Sequence, residues 1–155
     1  AAELVETVRQ FHQNNRHLFG NCNIQIHNPS GRPFICTINQ PLFEMLMMNL
    51  LNNGIKYNDS EKPRIDIRFL LQKNKLHIRF EDNGIGIEKG DMKKIFRKFY
   101  QAGRRDGLSP TGSGLGLYLV RHIARMHKGK VIAENRQSER GSVFILVLPF
   151  HSQKA

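Results

Sequence analysis

The sequence predicts an α+β sandwich, a mixed sheet of about five or six strands with helices on one face. Three observations carry that expectation. Apolar residues alternate with period two at 24–26, 65–71 and 76–80. Helical spacing governs two other stretches, 41–57 and 114–127. Strands and helices do not alternate one for one, which excludes a doubly wound parallel sheet. At 155 residues the chain fits one domain with one core.

Residues 3 to 19 read as an irregular helical lead-in. Ile24 and Ile26 form a strand, Asn28-Pro29-Ser30-Gly31 a turn, and 34 to 38 a returning strand, together a hairpin. Pro41 sits just inside a helix start behind Asn39 and Gln40, and the helix runs to about Tyr57. The alternating runs 65–71 and 76–80 flank the polar turn 72–75, so they pair antiparallel. A glycine turn follows at 83–86, then a short helix over 91–96. Residues 101 to 112 hold three glycines, a proline and Arg104-Arg105, and read as a mobile loop. A second helix starts near Gly114 and ends at Lys128-Gly129. Strands at 130–134 and 142–148 close the chain; the last is apolar on both faces and therefore central. The tail from His151 is expected to fray.

Composition narrows the function classes. No stretch reaches the ~20 apolar residues of a membrane span. Cys22 and Cys36 make neither a metal spacing nor a redox motif, which fits free thiols in a reducing cytosol. The net charge of +11 raises nucleic acid as a partner, but the basic residues are spread along the chain and interleave with no aromatic platform. A solvated basic surface, or attraction to an anionic nucleotide, accounts for the charge without specific nucleic-acid binding. The chain opens without an initiator Met or a signal-peptide pattern, as expected of an excised piece.

Three segments carry chemistry. In Asn49-Leu50-Leu51-Asn52-Asn53-Gly54-Ile55-Lys56-Tyr57, Asn49, Asn53, Lys56 and Tyr57 share one helix face. Phe43, Met47, Leu50, Leu51 and Gly54 form a separate apolar face. Amide oxygens of Asn49 and Asn53 can ligate Mg²⁺, a hard cation, and Lys56 offers a point charge for phosphate. Three asparagines in five helical positions are costly without a task. In the second segment Leu76, Ile78, Phe80 and Asp82 share parity, so Asp82 ends the core-facing row of its strand. A carboxylate there needs a partner. It can accept from an exocyclic amine such as that of adenine, while a turn-capping Asp accounts for the same residues. The third segment, Gly112-Ser113-Gly114-Leu115-Gly116-Leu117, opens a helix, and its backbone N–H groups can meet phosphate oxygens. A dinucleotide fingerprint is excluded, because no apolar strand precedes Gly112. A P-loop is excluded too: Val131 follows Gly129-Lys130 where Ser or Thr belongs.

Taken in order, the segments 49–57, 82–86, Phe96-Arg97-Lys98-Phe99-Tyr100 and 112–117 resemble the N, G1, F and G2 boxes of sensor histidine kinases. These kinases belong to the superfamily that includes gyrase, Hsp90 and MutL. The resemblance covers about residues 39 to 149 and implies a Bergerat-type ATP-binding fold. It implies ATP and Mg²⁺ as cofactors, Asn53 as main metal ligand with Asn49 beside it, and Lys56 on phosphate. Tyr57 would line the adenine and Asp82 accept its amino group, with Gly84, Gly86 and Ile87 shaping that pocket. Phe96 and Phe99 would anchor 101–112 as a lid, next to Tyr100. Gly112, Ser113, Gly114, Leu115, Gly116 and Leu117 would hinge it and approach the phosphates.

Two positions depart from the pattern: Arg97 stands where an acid is usual and Gln101 where a base is usual. The cation for the γ-phosphate is therefore open among Arg97, Arg104 and Arg105. In hydrolysing members a Glu stands four residues before the metal-binding Asn, as general base toward water; here that position is Asn49. Phosphoryl transfer to protein is thereby favoured over hydrolysis. No His is followed by an acidic residue on a matching helix, so the phosphoacceptor lies outside this chain, and residues 1–20 read as the end of a linker to it. The expected partners are a dimerisation and phosphoacceptor helical domain of its own or a sister chain, and a response-regulator receiver domain. The parent is expected to be a cytoplasmic or membrane-anchored bacterial homodimer, and the piece itself a monomer. A degenerate nucleotide-binding regulatory module and an anti-sigma-type serine kinase are the alternatives.

Overall fold

The computed structural model describes residues 1–100 and 114–151. Strand β1 (Ala2–Glu3) leads into helix α1 (Leu4–Asn15), a 3-10 turn, and β2 (Asn23–His27). Then come β3 (Ile35–Cys36), α2 (Gln40–Lys56), β4 (Arg64–Gln72) and β5 (Lys75–Asp82). The chain closes with α3 (Lys89–Met92), α4 (Gly116–Met126), β6 (Lys130–Asn135) and β7 (Ser142–Pro149). Five strands form one sheet in the order β2-β4-β5-β7-β6. The β2–β4 pair is parallel and the others antiparallel, so the sheet is mixed.

Period-two alternation sends Ile65, Ile67 and Phe69 of β4, then Leu76, Ile78 and Phe80 of β5, to one face. Phe144, Leu146 and Leu148 of β7 complete that face, and all nine side chains are buried. Helix α2 lays Phe43, Leu46, Met47, Leu50 and Leu51 onto it, and α4 adds Val120, Ile123 and Ala124. β7 is also buried on its other face through Val143, Ile145 and Val147, as expected of a strand flanked by β5 and β6.

Helices α1 and α2 start at side-chain caps that the sequence supplies. Asn39 caps α2, its side chain accepting from Leu42 N–H, with Pro41 in the first turn. The end of α4 is tied to the start of α2 through His127, whose Nε2 accepts from Asn39 N–H at 3.0 Å. The lead-in is a regular twelve-residue helix, not an irregular one. It is capped by the Glu3 carboxylate and buries Leu4, Val5, Val8 and Phe11.

The expected hairpin of residues 24–38 does not form. The turn at 28–31 is present, with Gly31 N–H donating to Asn28 C=O at 3.0 Å. Beyond it, β3 pairs with β1, while β2 pairs in parallel with β4. The cause is Phe34, which is fully buried between the rings of Phe69 and Phe150. Its backbone N–H also donates to Glu3 Oε2. Burying that ring draws the segment toward the N-terminus and away from β2. The short helix expected over 91–96 is displaced to Lys89–Met92, with turns after it.

Candidate functional site

Asp82 ends the core row of β5, and Ser142 begins the matching row of β7 beside it. Asp82 is only 5% exposed, and its carboxylate is held by three hydrogen bonds. Its Oδ1 accepts from Gly84 N–H at 2.9 Å and Ser142 N–H at 3.2 Å, and its Oδ2 from Ser142 Oγ–H at 2.6 Å. These bonds hold a charge in a low-dielectric place with one face of Oδ2 still able to accept.

The turn after Asp82 is held by backbone approaches that only glycine allows. A Cβ on Gly84 would lie 2.5 Å from Tyr57 C=O, and one on Gly141 1.9 Å from Asp82 C=O. Ile85 N–H donates to Tyr57 C=O at 3.0 Å, joining the turn to the end of α2. Asn83 Oδ1 accepts from Arg64 N–H and Asn58 Nδ2, each at 2.8 Å. Asn135 at the end of β6 clamps Ile87, accepting from its N–H and donating to its C=O, each at 2.7 Å. Gly54 lets α2 approach the strand ends, since a Cβ there would lie 2.9 Å from Ile65 Cδ1 and 3.5 Å from Asp82 Cβ.

The face of α2 next to this pocket carries Asn49 and Asn53, both half-buried. Asn49 Nδ2 donates to Met45 C=O at 2.8 Å. Its Oδ1 faces the start of α4, where a Cβ on Gly116 would lie 2.9 Å away. The Asn53 side chain has no hydrogen-bond partner among the described residues. Two amide oxygens one helical turn apart fit a hard cation that arrives with its own phosphate ligands. Among the described residues, no cluster of three His, Cys, Asp or Glu offers a rival metal site. Lys56 is exposed, its Nζ 5.1 Å from the centre of the Tyr57 ring.

The two ends bordering the undescribed stretch meet. Gly114 has φ +73°, and a Cβ on it would lie 2.7 Å from the Phe99 carbonyl carbon. Phe96 is an anchor, packed edge-on against Phe144 at 6.2 Å. Phe99 is not: its ring is 66% exposed and its backbone makes the contact with Gly114. The Tyr100 hydroxyl donates to Asp91 Oδ1, which pushes its pKa up. Leu115, Gly116 and Leu117 are half-buried at the start of α4, and Leu117 packs on the core. Gly112, Ser113, Arg104, Arg105 and the loop 101–112 lie outside the described residues.

Sequence reasoning missed Ser142, Gly141, Asn83 and Asn135. The signal for Ser142 was present, because it shares parity with Phe144, Leu146 and Leu148. What was lacking was the register that sets it beside Asp82. The cysteines take no part in the site. Both are free, and burial first, then Asp82 for Cys22 and Glu3 for Cys36, pushes each thiol up to about 11.

Residues 38–152 match the family described as histidine kinase-, DNA gyrase B-, and HSP90-like ATPase. The chain is 38% identical over 105 residues to the sensor protein RprX of Bacteroides fragilis, covering 67% of this chain and 20% of that protein. It is 35% identical over 114 residues to hybrid signal transduction histidine kinase K of Dictyostelium discoideum, covering 67% of this chain and 9% of that protein. It thus spans a fifth or less of either relative. Among solved structures it resembles the mycobacterial sensor histidine kinase MprB, with a TM-score of 0.81, 19% identity and 96% of both chains covered. The catalytic domain of histidine kinase ThkA aligns with a TM-score of 0.78 and 24% identity, over 95% of this chain and 94% of that one. With the site geometry and the matched segment in agreement, the chain belongs to the histidine kinase-, DNA gyrase B-, and HSP90-like ATPase family, as an ATP-binding catalytic domain of the histidine-kinase type.

Proposed function

We propose that this domain presents the γ-phosphoryl of ATP to a histidine on a separate helical phosphoacceptor domain, of its own or a sister chain. A response-regulator receiver domain would take the phosphoryl from there, in the cytoplasm. Asp82 accepts from the adenine amino group, with Gly84 and Ser142 holding its carboxylate in place. Tyr57 and Ile87 border the base. Asn53 and Asn49 hold Mg²⁺, which when bound would neutralise charge on the phosphates. Lys56 swings from Tyr57 to the phosphates, and Gly114 and Gly116 keep the start of α4 open to them.

The observation that carries the reading is Asn49. An amide there takes no proton at neutral pH, so no group at this position activates water. General base catalysis is worth ~10²–10⁴-fold, and its loss leaves hydrolysis slow while transfer to an imidazole needs no such base. The remaining work is positioning and charge stabilisation, as in other phosphoryl transfers.

The test is incubation with γ-labelled ATP and the parent's phosphoacceptor domain supplied separately. Acid-labile label on that domain is expected, rising with its concentration because the tether is absent. Acid-stable label would point to a serine kinase, and rapid phosphate release without acceptor would refute the role given to Asn49.

A further inference from the structure

We propose that the helix-free face of the sheet carries a second anion site, at the end opposite the nucleotide pocket. It is built from Lys75, Lys128 and Lys130 and suited to a phosphoryl group. A cavity of about 180 Å³ lies there, lined by these lysines with Gly129, Val147 and Pro149. Lys75 pairs with Pro149 and Lys130 with Val147, so the two lysines flank β7 on one face. Lys75 and Asp82 are the two ends of β5, which puts about 23 Å of strand between this cavity and the adenine pocket.

Three further observations point to a ligand. The first is the absence of compensation. None of the three lysines has a carboxylate within ion-pair distance among the described residues, so three positive charges border the cavity unpaired. The second is backbone conformation. Lys128 has φ +61°, a left-handed position at a helix end where Gly or Asn is ordinarily favoured. Gly129 beside it presses this turn onto β7, since a Cβ there would lie 2.2 Å from Val147 C=O. The chain thus accepts a strained lysine where it holds that turn against the cavity. The third is His77, which lies on the same face opposite Val147. Its pKa is lowered first by partial burial and then by Arg79, Lys130 and Lys75, so two lysines of the cavity act on the ring.

Ammonium groups on flexible stems act as point charges and need no planar fork, which suits the dense charge of a phosphoryl group. That group can belong to a soluble polyphosphate or to an anionic phospholipid headgroup. The site stands independently of the phosphotransfer reading.

The experiment compares the protein with its Lys75→Gln/Lys128→Asn/Lys130→Gln variant; Asn suits the left-handed position. In one arm tripolyphosphate is titrated while the His77 imidazole is followed by NMR. His77 is the reporter because it lies on this face opposite Val147, and the comparison with the variant separates this site from any binding in the nucleotide pocket. The other arm is co-sedimentation with vesicles of phosphatidylglycerol in phosphatidylcholine, against phosphatidylcholine alone. An upward shift of the His77 midpoint, or vesicle binding, weakened tenfold or more in the variant, is expected. A response to tripolyphosphate assigns a soluble ligand, and vesicle binding alone assigns a headgroup. The single Lys130→Gln variant repeats the comparison if the triple variant unfolds. No response in either arm, or responses equal in protein and variant, would overturn the proposal.

Discussion

The Asp82 carboxylate accepts three hydrogen bonds inside the protein, whereas the side chain of Asn53 on α2 makes none among the described residues. The half of the site proposed to bind the base is thus assembled by the fold itself, from two strand ends, a glycine turn and the clamps of Asn83 and Asn135. The half proposed to bind phosphate and metal consists of half-buried amides and an exposed lysine, with few internal hydrogen bonds to hold them. Damage to the first half should therefore cost stability as well as binding. Damage to the second should cost binding alone.

The largest expected effect is at Gly141. Alanine there collides with Asp82 C=O and must hold φ +128°. Gly141→Ala should destabilise the domain by about 3 kcal/mol in chemical denaturation, and a near-neutral result would show that the turn yields freely. Ser142→Ala removes the Oγ–H bond to Asp82 Oδ2 and should cost about 1–3 kcal/mol, with weaker nucleotide binding measured on the same sample. Unchanged stability there would mean that the carboxylate is not held by Ser142.

Asn53→Ala sharpens the contrast from the other side. Its unfolding free energy should stay within about 0.5 kcal/mol of the parent's, while Mg²⁺-dependent binding of ATP disappears. Equal Mg²⁺ dependence in the variant would remove Asn53 from the metal site.

The smallest effect lies on the opposite face of β5 from Asp82, at Glu81. Burial pushes its pKa up, but hydrogen bonds from Arg68 and Arg79 outweigh burial and hold it below the usual value. A depressed carboxylate contributes stability that is present above its ordinary value of 4.5 and is lost as pH falls through the folded value. Glu81→Gln should therefore lower stability near neutrality and make the decline below pH 4.5 shallower, as read from denaturation at stepped pH.

The same contrast governs what was legible in the sequence. Helix α2 and the β4–β5 pair are stated by local periodicity and by Asn39 and Pro41, so they could be read directly. The partner of β2 could not, because alternation says which face a residue takes and nothing about which strand lies beside it. The hairpin expectation failed on that ambiguity, and Phe34 resolved it by packing with Phe69 and Phe150. In the site, Asp82 and the asparagines of α2 stood out because each breaks a local rule, a carboxylate in a core row and amides in a helix. Ser142 and Asn135 break no rule. Their roles come from register across β5–β7 and from a side chain reaching 48 residues back to Ile87, which local pattern does not encode.

Calorimetric titration of ATP with Mg²⁺ into the parent protein and Asp82→Asn tests the central claim most directly. The amide keeps the volume of the side chain but loses the charge and one acceptor, both of which the proposed adenine recognition would use. The predicted result is a folded variant with affinity lowered ~10–150-fold, equivalent to ~1.5–3 kcal/mol. A folded variant that binds ATP as tightly as the parent would contradict the assignment of Asp82 and, with it, the base-binding half of the site.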